Sequence, residues 1–73
     1  MPLTKRQGMK RTMKQAIAAV DKSAAYLLQL REIYEEALQQ GSRGSEERIQ
    51  AIDALLQVHV NLLELMRAFE SVI

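Results

Sequence analysis

The stretch Gly41-Ser42-Arg43-Gly44-Ser45 decides the fold. Proline occurs only at position 2, and the one glycine outside this stretch is Gly8, so these five residues are the strongest punctuation in the chain. Gly41 stands where a helix C-terminus favours a left-handed residue. Ser45, followed by Glu46 and Glu47, supplies an N-cap with acids in the first turn, where the helix dipole favours them. The reading is all-α: helices over about 13–40 and 46–72 joined by a loop at 41–45.

Outward from the loop, apolar spacing supports both helices. In the first, Met13, Ile17, Val20, Ala24, Leu27, Tyr34 and Leu38 follow the 4-3-4-3 spacing of a bundle seam, interrupted by Arg31. Ala16, Ala19, Tyr26, Leu30, Ile33 and Ala37 widen the apolar arc to roughly 220°, more than one neighbouring helix covers. The second helix carries Ala51, Ile52, Leu55, Val58, Leu62, Leu63, Leu65, Met66, Phe69 and Ile73, flanked by Leu56 and Val60.

Two helices of near-equal length joined by a short loop pack antiparallel, and opposed residue numbers then sum to about 86. By that rule Ile73 lies across from Met13. Residues 1–12 are therefore expected to form a basic N-terminal arm that overhangs the hairpin 13–73. Capping-box spacings occur at Thr4 to Gln7 and at Thr12 to Gln15. The later start is preferred here, because Gly8 costs about 1 kcal/mol inside a helix.

A lone pair of long rods cannot bury arcs this wide. The expectation is an antiparallel hairpin that dimerises into a four-helix bundle, with Ile17, Val20, Leu27, Leu30, Tyr34, Leu55, His59, Leu62, Leu63, Met66 and Phe69 in the core or dimer interface. A heteromeric partner offering its own helices is the alternative.

The composition narrows the function. The chain has 73 residues, a formal net charge of +1 and no cysteine, which excludes disulfide scaffolds, thiolate nucleophiles and thiolate zinc sites. The apolar runs Ala16–Val20 and Ala24–Leu28 are far shorter than the roughly 20 residues that span a bilayer. Residence in the cytoplasm is expected, although the acid-free basic start also resembles the bias of a mitochondrial presequence.

Charge divides along the chain. Lys5, Arg6, Lys10, Arg11 and Lys14 precede the first acid, Asp21, and with Met9 they form the candidate partner-binding set, for an acidic protein surface or nucleic acid. The set has no aromatic residue to stack on bases.

Catalytic chemistry finds no constellation. His59 is the only histidine and has Leu55, Leu56, Leu62 and Leu63 as its helical neighbours, so it reads as an interior histidine near Tyr26 or Ser23. Arg31 reads as a boundary arginine paired with Glu35 one turn on. No cofactor or metal is expected. The expected function is a non-enzymatic protein–protein interaction module, a small regulator or adaptor; the alternatives are a nucleic-acid-binding hairpin dimer and a subunit of a heteromeric helical assembly.

Overall fold

The computed structural model describes residues 4–73 as two helices, α1 (Lys5–Gln39) and α2 (Gly44–Val72), packed against each other as a hairpin. The first helix begins two turns earlier than the sequence reading placed it. Thr4 forms the upstream capping box: its hydroxyl accepts from the Gln7 N–H at 3.2 Å, and the Gln7 side chain accepts from the Thr4 N–H at 3.1 Å. Once packing holds the helix from Met13 onward, each residue added upstream gains a backbone bond without a new nucleation cost. A cap contributing about 1 kcal/mol then offsets the glycine at position 8. Thr12, the expected start, instead bonds back to the Gly8 carbonyl at 2.9 Å, as a mid-helix threonine does. Residues 5–12 of the expected arm are thus helix; residues 1–3 lie outside the described residues.

The turn is built by Gly41, whose φ is 98°. Its N–H donates to the Leu38 carbonyl at 3.0 Å, and the Ser42 N–H donates to the Ala37 carbonyl at 3.0 Å. This pair of bonds is the Schellman closure, which satisfies carbonyls that the helix end leaves open. The second helix starts at Gly44, slightly earlier than the expected 46. Arg43 precedes it with helical backbone angles, and no side chain caps it. Ser45 is therefore not the N-cap. It is 3% exposed inside the first turn and bonds the Ser42 hydroxyl at 3.0 Å.

From the loop the two helices meet along one seam. On α2 the covered or half-covered positions are Ser45, Ile49, Ile52, Leu56, His59, Leu63, Met66, Glu70 and Ile73, an unbroken 4-3 repeat. On α1 the matching line is Met13, Ile17, Val20, Ala24, Leu27, Arg31 and Tyr34. Cross-helix bonds set the register: Arg31 to Asp53 at 2.7 Å and Ser23 to His59 at 3.1 Å. Leu38, placed in the seam by spacing alone, is exposed as the chain turns away.

One seam buries little. Among the described residues only Ile52, Leu63 and Ile73 are buried hydrophobics, and α1 contributes none. The radius of gyration is 17.1 Å, against about 11 Å for a compact domain of this length. The molecule is a slab of 59 × 21 × 11 Å, one helix layer thick.

Candidate interaction face

Each helix carries a second stripe, displaced by one residue from the seam. On α2 it runs Ala51, Leu55, Val58, Leu62, Leu65, Phe69 and Val72, again in strict 4-3 spacing, and every one of these residues is exposed. On α1 it runs Met9, Thr12, Ala16, Ala19, Ser23, Tyr26, Leu30, Ile33 and Ala37. A shift of one residue rotates a side chain by about 100° about its helix. Because the helices run in opposite directions, both stripes turn to the same side of the slab.

Two depressions confirm that placement. Met9, Thr12 and Ala16 of α1 line a groove of about 490 Å³ together with Phe69 and Ile73 of α2, and Lys5, Gly8 and Met13 complete it. Nearer the loop, Leu30 and Tyr34 share a smaller depression with Arg48, Ala51 and Ile52. Arg48 lies 5.5 Å from the centre of the Tyr34 ring and donates to its hydroxyl at 3.2 Å, so the cation closes the loop end of the apolar face.

This front face holds large side chains with nothing over them: Ile33 is 61% exposed, Leu65 70%, Phe69 50% and Val72 74%. The opposite face is mostly polar, with Asp21, Glu32, Glu46, Gln50, Asp53, Gln57, Glu64 and Arg67, and with Leu28 and Val60 as its large apolar exceptions beside Ala18 and Ala25. Its ion pairs tie the helices together. Arg31 bonds both Asp53 and Glu35, and Arg67 approaches Asp21 at 4.0 Å. The hydrogen bond to Asp53 and its charge outweigh desolvation and raise the Arg31 pKa above its ordinary value.

The expected core set therefore divides. Ile17, Val20, Leu27, Tyr34, His59, Leu63 and Met66 lie in the intrachain seam, whereas Leu30, Leu55, Leu62 and Phe69 lie exposed on the front face. Sequence spacing separates the second stripe from the seam on the first helix, through Leu30 and its neighbours, but on the second helix it gives one apolar set. The repeat resolves into two stripes only when Ala51 and Val72 are counted with the leucines, and Ser45, Ile49 and Glu70 with the seam.

His59 lies half-covered in the seam. Its Nδ1 donates to the Leu55 carbonyl at 2.7 Å, since a carbonyl only accepts, and its Nε2 shares a 3.1 Å hydrogen bond with the Ser23 hydroxyl.

The six expected partner-binding residues all fall in the first turns of α1. Lys5 and Met9 line the groove, and Arg6 donates from Nε to the Ile73 carbonyl oxygen. Lys10, Arg11 and Lys14 are exposed and have no ion pair among the described residues. No group of three His, Asp or Glu residues among the described residues could hold a metal ion, and none of the described helices is long and apolar enough to cross a membrane. No family model, curated protein or solved structure matches the chain.

Proposed function

We propose that the chain is a non-enzymatic protein–protein interaction module, a small regulator or adaptor. Its hairpin self-associates through the front face into a four-helix bundle, and its basic end docks on an acidic protein surface. The observation that carries this reading is the second 4-3 stripe on both helices. A soluble monomer rarely leaves so continuous an apolar face in water, and the spacing is that of helices packing against helices.

Light scattering at micromolar concentration tests it. The parent chain is expected at twice its monomer mass, and Leu65→Glu on the front face is expected to lower that mass toward the monomer. Leu28→Glu on the opposite face is expected to leave it unchanged. A folded parent monomer at that concentration overturns self-association, and a parent that is unfolded alone favours a heteromeric assembly.

A nucleic-acid reading has one specific support, the exposed group Lys10, Arg11 and Lys14. With two copies of the basic end, binding of this kind predicts a log–log salt slope steeper than about −4. Docking on protein predicts a shallower one.

A further inference from the structure

The polar face of the slab carries a third 4-3 stripe on each helix, displaced by one residue from the seam in the sense opposite to the front stripe. On α1 it runs Arg11, Lys14, Ala18, Asp21, Ala25, Leu28, Glu32 and Glu35; on α2 it runs Glu46, Gln50, Asp53, Gln57, Val60, Glu64, Arg67 and Ser71. Charge is sorted along it. Arg11, Lys14 and Arg67 stand toward the open end of the hairpin, and Glu32, Glu35, Glu46 and Asp53 toward the loop, with Leu28 and Val60 exposed between them. Arg31 bonds both Glu35 and Asp53, which leaves that cluster one charge negative. We propose that this back face pairs with the back face of another copy, ends reversed, so that the acidic protein surface on which the basic end docks is the loop end of the same chain. The inference rests on the reading of the basic end as a dock for an acidic protein surface and names that surface; it uses no front-face residue.

Register follows from the bonds inside the hairpin. Ser23 and His59 bond each other and so mark one level of the slab, near the middle of both helices. A two-fold axis laid across the back face at that level, by residue 23 of α1 and residue 60 of α2, sets residues equally distant from it against each other. On α1, Arg11 then meets Glu35 of the second copy, Lys14 meets Glu32, Leu28 lies over Ala18 and Asp21 over Ala25. On α2, Arg67 meets Asp53, Val60 meets Val60, and Glu64 lies nearest Gln57. Each ion pair occurs twice across the axis, and no like charges are opposed.

The other two-fold arrangement, with the ends aligned, lays α1 over the second copy's α2. It sets Lys14 near Arg67, Asp21 near Glu64, Glu32 near Asp53 and Glu35 near Glu46, so like charges face each other within a Debye length of about 10 Å. Charge and relief thus select the reversed arrangement on this face. Exposed ion pairs are individually weak, and the apolar centre is small. The contact is therefore expected at high micromolar concentration and low salt, above the range in which the front face pairs.

The full chain carrying Leu65→Glu removes the front face from the measurement, and sedimentation equilibrium then reads the back face alone. Association that weakens with added salt is expected. In that background Lys14→Glu or Glu32→Lys sets like charges together twice across the axis, and each is expected to weaken association about tenfold. The two together exchange the signs and are expected to restore it. Residues 14 and 32 lie about five turns apart on one helix, so rescue can act only between copies. Lys14→Glu combined with Glu47→Lys, which restores net charge outside the three stripes, is expected to remain weak. In the parent, where both faces are free, slabs stack front to front and back to back without closing, and the same variants are read as growth beyond twice the monomer mass. A chain that does not associate through the back face under these conditions overturns the proposal. So does association indifferent to the single reversals, or a double variant no better than either. Those outcomes leave front-face pairing, read on the parent at micromolar concentration, standing; a parent that is monomeric there yet shows the charge-swap rescue overturns the front-face reading alone.

Discussion

At Gly41 the backbone has φ of 98°, and at Gly8 it is helical with no atom within 4 Å of where a Cβ would stand. The same substitution therefore acts with opposite signs at the two positions. Gly41→Ala forces a side chain into the left-handed region and is expected to cost about 1 kcal/mol. Gly8→Ala restricts the unfolded chain without strain in the folded one and is expected to add about 0.4–1 kcal/mol. Urea unfolding at one fixed protein concentration checks both, and equal signs would contradict the placement of one of them. His59 offers a third residue-level test. Its ring occupies the seam while satisfying only Leu55 and the exposed Ser23, which water can serve instead. His59→Leu is expected to be neutral or stabilising, and a loss beyond about 2 kcal/mol would show that the Ser23 bond specifies the register.

Between the helices, the pairing of Arg31 with Asp53 is the strongest polar tie, yet both side chains remain partly in water, 32% and 50% exposed. A double-mutant cycle on Arg31→Met and Asp53→Asn is expected to give a small favourable coupling that fades as salt is added, as it does for solvent-accessible ion pairs. Arg31 also shows what was legible in the sequence. Its interruption of an otherwise apolar seam and its spacing to Glu35 were plain, but Asp53 lies on the other helix, and only the register brings it near. The α1 seam, the Gly41 turn and the proximity of Ser23 to His59 were equally legible, since each follows from local spacing or from the antiparallel rule. The helix start was not. It depends on a balance between Gly8 and the Thr4 capping box, two terms of about 1 kcal/mol each, and propagation from an already packed helix decides the outcome. The separation of seam from front face was hidden for another reason. Two 4-3 stripes offset by one residue merge into a single apolar arc unless the partner's position fixes which stripe it covers.

For the molecule as a whole, helix at residues 5–12 changes what the basic end does. Read as a loose arm, it would be separable from assembly; as two turns of α1 it supplies Lys5, Gly8, Met9 and Thr12 to one wall of the groove beside Phe69. Removing residues 1–12 takes away the Arg6 bond to the Ile73 carbonyl but leaves the seam from Met13 to the loop. Helix content per remaining residue is therefore expected to change little in far-UV circular dichroism. Association should suffer. The truncated chain loses the Met9 end of the front face and four of the five leading cations. We expect the dimer dissociation constant to rise by about tenfold or more, equivalent to about 1.4 kcal/mol, with a thermal midpoint that still climbs with protein concentration. Sedimentation equilibrium on the two chains measures the difference. If the truncated chain dimerises as tightly as the parent, the groove lies outside the interface, and residues 5–12 are left to serve a partner other than a second copy.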